Sequence, residues 1–125
     1  MKNVLRVVAG LLGALFFVMG LQWILSPANI AESLGMPLLE GVGLSTQIGD
    51  LGSFFITVGA MTLIGAITTT RHWFYGPSML LLVAALYRTL STLLYGAPFV
   101  ISAIAVEVVV GLFLIFVSSK IAIED

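Results

Sequence analysis

Four long apolar runs, parted by short breaks that carry Pro and Gly, decide what this chain can fold into. They cover residues 4–25, 45–69, 77–95 and 98–119. A helix needs about 20 apolar residues to cross a bilayer. Four such helices nearly exhaust 125 residues, so one membrane domain over 1–125 is expected, with no room for a soluble catalytic domain. The chain is 60% hydrophobic and 9% charged, against about 45–50% and about 25% in soluble domains. Its mean hydropathy is +1.18.

The breaks give local structure. Ser26-Pro27 reads as a cap followed by Pro at the first helical position, and Gly35 closes a short helix there. Ile30 and Leu34 share one face of it, as in a helix lying at a membrane interface. Gly41-Val42-Gly43 reads as a flexible approach to the second span, capped by Ser45 or Thr46. Gly96-Ala97-Pro98 reads as a stop and restart, with Pro98 opening the fourth span. The tail 120–125 is brief. The first run, about 33 Å long as a helix, exceeds the apolar core of a signal peptide and is expected to remain a span.

Short connections make consecutive spans antiparallel neighbours. The expected fold is therefore all-α: an integral membrane four-helix up-down-up-down bundle with a short interfacial helix after the first span. Lys2, Arg6, Arg71 and Lys120 fall on one side, and the opposite loops hold Glu32 and Glu40 but no Lys or Arg. The positive-inside rule makes both termini cytoplasmic in a bacterial inner membrane. Trp23 and Trp73 then fall at the two interfaces.

Within this apolar setting Arg88 stands out, in the middle of the run 79–94. Its guanidinium stays charged and offers five donors in a fixed fork. Asp50 lies one to two turns below the outer surface, Arg88 about two turns below it, and Glu107 roughly 14 Å down the fourth span. Gln22 and Gln47 occupy the same half, so Asp50, Arg88, Glu107, Gln22 and Gln47 are expected to form a polar cluster there. Ala84, Ser91, Thr92 and Tyr95 share the stripe of Arg88, and Thr92 and Tyr95 join the candidate ligand-binding residues. Small residues beside the charges, including Gly49, Ser53 and Thr57, should turn toward protein. The step from Gly49 to Ser53 is expected to be a helix contact within the bundle. Two carboxylates against one guanidinium leave an excess negative charge, so Glu107, the deeper acid, is expected to hold a proton or a cation.

Other chemistry is poorly served. With no cysteine, disulfides, thiolate metal sites and cysteine nucleophiles are excluded. The lone His72 sits in a loop, so neither buried haem nor zinc catalysis finds a ligand set. Ser91 and Ser102 lack a histidine base. A net charge of −1 and no basic patch argue against nucleic acid. No catalytic residue, metal or cofactor is expected.

The segment Gly43-Leu44-Ser45-Thr46-Gln47-Ile48-Gly49-Asp50-Leu51-Gly52, with Tyr87-Arg88 on the third span, resembles small bacterial four-helix membrane proteins of a domain-of-unknown-function family. More distantly it resembles the DoxX-type group. That resemblance implies an accessory or quinone-proximal role, marks Asp50 and Arg88 as characteristic positions, and transfers no catalytic residue. The leading expectation is a non-enzymatic membrane protein, homo-oligomeric or an accessory subunit among other membrane subunits. A lipid- or quinone-binding protein is the first alternative, and a small proton or ion channel or transporter the second.

Overall fold

The computed structural model describes residues 1–121, and the end of the expected tail, 122–125, lies outside the described residues. Among them there are only helices and connections: α1 (Lys2–Leu25), α2 (Pro27–Ser33), α3 (Gly41–Thr46), a π-turn (Gln47–Leu51), α4 (Gly52–Thr68), a 3-10 turn (Arg71–Phe74), α5 (Tyr75–Tyr95) and α6 (Ile101–Ile121). Four stretches are long and apolar enough to cross a membrane: Lys2–Leu25, Gly41–Thr68, Arg71–Tyr95 and Ile101–Ile121. The up-down-up-down bundle is thus realised, with α2 as the short helix after the first span.

Two boundaries differ from the sequence expectation. Gly41-Val42-Gly43 is helical rather than a flexible approach, because α3, the π-turn and α4 run on as one span. Ser45 therefore lies inside a helix instead of capping one. At the other break, Gly96 takes a left-handed φ of 71° and ends α5, but 96–100 stay non-helical and α6 starts at Ile101. Pro98 is part of that connection rather than the opening of the helix.

The helices pair unequally. α1 packs along α4, and α5 along α6, while α1–α6 and α4–α5 contacts join the two pairs. Glycine explains the first pair. Gly13 and Gly20 are seven residues apart on α1, and Gly52 and Gly59 seven apart on α4, so each couple shares a face. A Cβ at Gly59 would lie 2.7 Å from the Gly13 carbonyl oxygen and closer still to the Phe17 amide nitrogen. One at Gly20 would lie 2.7 Å from the Ile56 nitrogen. The two backbones touch, as small residues permit in membrane helices.

Contacts that seat α5 on its neighbours also depend on glycine, and they sit toward the end that carries Met1 and Ile121. Gly65 meets Phe74, Gly76 meets Met61, and Gly111 meets Leu82. Phe74, Leu81, Leu114 and Val117 are fully buried there. Between Gly76 and Gly96, α5 has no glycine, and its burial stops at Ala85. The distal stretch 86–95 is exposed or half-buried throughout.

Trp23 corrects the aromatic-belt expectation. It is fully buried, its Cβ against Gly52, whereas Trp73 is 38% exposed and suits an interface.

Candidate functional site

Arg88 lies seven residues before the end of α5 at Tyr95, and Glu107 six residues after the start of α6 at Ile101. Both are therefore roughly 10 Å from the distal ends of their helices. This shared level, on two helices that pack together, lets Arg88 Nε donate to Glu107 Oε1 at 2.9 Å. The Glu107 side chain is 12% exposed and that of Arg88 45% exposed. Among the described residues, neither Nη nitrogen of Arg88 has a hydrogen-bond partner. Most of the guanidinium's hydrogen-bonding capacity is thus unused by the described residues. An arginine at the centre of a spanning helix costs about 2.5–3.5 kcal/mol on insertion scales.

The structure brings together Arg88 and Glu107 but not the other expected cluster members. Asp50 lies in the π-turn, nine residues into its span, and is exposed. Among the described residues its carboxylate has no hydrogen bond or ion pair. The reason is the helix pairing: the π-turn packs on α1 and on its own span, away from the α5–α6 pair. Within one protomer, then, acid and base balance one to one, and the expected excess of negative charge at Arg88 does not arise.

Gln47 does something else. It is 4% exposed and reaches the connection before α3. Its Nε2 donates to the Pro37 carbonyl at 3.0 Å, and its Oε1 accepts from the Leu39 amide at 2.9 Å. The primary amide supplies both donor and acceptor that an unpaired stretch of backbone needs. Gln22 is half-buried and makes no side-chain hydrogen bond among the described residues. Thr92 turns back on its own helix, its Oγ1 donating to the Arg88 carbonyl at 3.3 Å. Tyr95 is 86% exposed and stands clear of the pair.

The expected contact from Gly49 to Ser53 is not made inside the protomer. Both residues are exposed, nothing lies within 4 Å of the place a Gly49 Cβ would take, and Ser53 Oγ donates to the Asp50 carbonyl at 3.0 Å. Thr46, Gly49, Asp50, Ser53 and Thr57 instead form one exposed, small and polar stripe down the span.

Two features went unread in the sequence. One is the π-turn. Its i→i+5 bonding brings Gln47 and Gly52, five residues apart, onto nearly the same face, and both are buried. The other is Arg6, whose Nε and Nη2 donate to the Ala66 and Ile67 carbonyls at 2.9 and 3.3 Å. A cation there faces the negative end of α4. The Gly13/Gly20 and Gly52/Gly59 spacings were the available signal for the helix pairing, and no comparable pattern announces the π-turn.

No group of three or more His, Cys, Asp or Glu able to hold a metal occurs among the described residues. Comparison with protein-family models, with curated proteins and with solved structures gave no match in any of the three.

Proposed function

We propose that this is a non-enzymatic multi-pass membrane protein that works as part of an assembly, either with copies of itself or as an accessory subunit. One observation carries the reading: Arg88, seven residues inside a candidate span, is held by Glu107 yet is 45% exposed, and both its Nη groups are unused among the described residues. Such a group facing acyl chains is unfavourable, so another polar surface completes it. The exposed stripe from Thr46 to Thr57 supports the same reading, since small and polar residues line contacts between membrane helices. Native mass spectrometry from a mild detergent tests it. An oligomer, or a stable complex with other membrane subunits, is expected; a strictly monomeric and partnerless protein would overturn the proposal.

The resemblance to DoxX-type proteins fits an accessory role. The basic residues Lys2, Arg6, Arg71 and Lys120 share one end of the bundle, which favours a cytoplasmic placement of both termini in a bacterial inner membrane. The unused Arg88 donors favour a second reading, binding of a lipid phosphate or a quinone carbonyl, each an acceptor for a guanidinium. Recovery of a stoichiometric lipid or quinone with the wild type, lost in Arg88→Leu, would support it. A conducting path through the protomer finds less support. The half around Phe74, Leu81, Leu114 and Val117 is tightly filled with apolar side chains.

A further inference from the structure

Asp50 and Arg88 are exposed groups of opposite charge on helices that do not bring them together in the protomer. Their levels agree. Asp50 is nine residues in from Gly41 and Arg88 seven in from Tyr95, roughly 14 and 10 Å from the distal ends, a difference of less than one helical turn. Each therefore meets the same slab of the bilayer with its charge incompletely answered.

We propose that a second copy of this chain supplies the missing partner: Asp50 of one protomer binds the free Nη edge of Arg88 in the next, and the site on α5 and α6 is incomplete without it. This rests on the assembly reading above and names the contact that makes the assembly. The net charge of Asp50, Arg88 and Glu107 is −1 wherever Asp50 sits. Beside the guanidinium, however, its carboxylate meets a planar pair of N–H donors suited to bidentate bonding. Against acyl chains it meets none. Glu107 leaves that edge free because it engages Nε. The surface around Asp50 suits close approach, since Gly49, Ser53 and Thr57 carry little side chain. Each copy offers one unengaged carboxylate, Asp50, and one free guanidinium edge, on Arg88, so a closed dimer or ring satisfies both in every copy, whereas an open contact leaves one of each bare.

The absence of cysteine gives a direct test that keeps both charges. Thr46 lies one turn toward the distal end from Asp50, and Ser91 one turn toward the same end from Arg88. Differently tagged T46C and S91C proteins are co-expressed in one membrane and oxidised, so that a T46C–S91C disulfide can form only between copies. The same pair is prepared with D50N in both chains, and native mass is recorded for the unmodified protein and for D50N alone. Asp50 has no partner among the described residues of its own protomer, so D50N is expected to leave the monomer's unfolding midpoint unchanged.

The expected result is a mixed-tag disulfide whose yield falls at least tenfold with D50N, together with an oligomer that D50N dissociates. If an oligomer forms but the mixed link is absent or indifferent to D50N, the Asp50–Arg88 contact is overturned and the assembly reading survives. If the protein is monomeric and Arg88 retains a phospholipid, both are overturned in favour of a lipid phosphate at the guanidinium.

Discussion

Glycine and glutamine do their work here through single atoms. At Gly59 the missing Cβ is what lets α4 lie against the backbone of Phe17 and Gly13. Both obstacles are main chain and cannot rotate aside. Gly59→Ala is therefore expected to destabilise the protein by about 1–3 kcal/mol, the usual cost of overpacking. Gly10→Ala, where the added carbon would sit 3.9 Å from the Ala66 Cβ, should be neutral. Thermal unfolding of both variants in one detergent checks the contrast. Gln47 offers a second case. Gln47→Leu keeps the bulk but strips the Pro37 carbonyl and Leu39 amide of their partners, a loss of about 1–3 kcal/mol. Hydrogen exchange should localise it, with the Leu39 amide losing protection before the core of α4 does.

At the scale of elements, helix ends and helix pairs carry the argument. α4 ends on Thr69, a β-branched residue at a φ of +53°, a conformation such residues seldom adopt. Arg6 answers the carbonyls just before it. Arg6→Ala should cost about 0.5–1 kcal/mol through the lost interaction with the helix end. The same variant should raise exchange at the end of α4 without touching α5, which amide-resolved exchange can read. Between α5 and α6 the Arg88–Glu107 ion pair decides. Arg88→Leu leaves Glu107, 12% exposed, without its donor. A loss of about 1–3 kcal/mol in thermal stability is expected. Because the Arg88–Glu107 pair is neutral by itself, Arg88→Leu with Glu107→Leu should recover most of that stability. It should not restore assembly, since Asp50 of the next copy still lacks its donor. A double variant as unstable as the single one would show that Glu107 is not the group left stranded.

Across the whole molecule, α5 is seated on its neighbours at one end of the bundle and uncovered at the other. Toward Met1 and Ile121, glycine contacts and buried aromatic and aliphatic side chains join the two helix pairs. Toward the connection 96–100, α5 carries Leu, Tyr and Arg with no glycine, and its side chains remain uncovered. This division places the charged residues of α5 and of the π-turn toward the uncovered end, where a neighbour can reach them.

Span number, order and up-down alternation were legible in the sequence, because a bilayer demands long apolar runs and the breaks between them are short. The level of Arg88 was legible for the same reason: a fixed rise per residue converts position in a helix into depth. That of Glu107 was not: α6 starts at Ile101 rather than Pro98, which leaves Glu107 about 9 Å from the helix end and makes Asp50 the deeper acid. Which helix faces which was not. Asp50 and Arg88 share a level, but their azimuths depend on glycines that press α4 against α1 and on a π-turn whose extra residue shifts the phase of the span. Residues such as Gly49 and Ser53 look alike in sequence whether they meet a neighbour in the same chain or none at all. Periodicity fixes only a helix's own face; the partner that face meets is chosen by packing among all four helices, and that choice left Asp50 without a partner among the described residues.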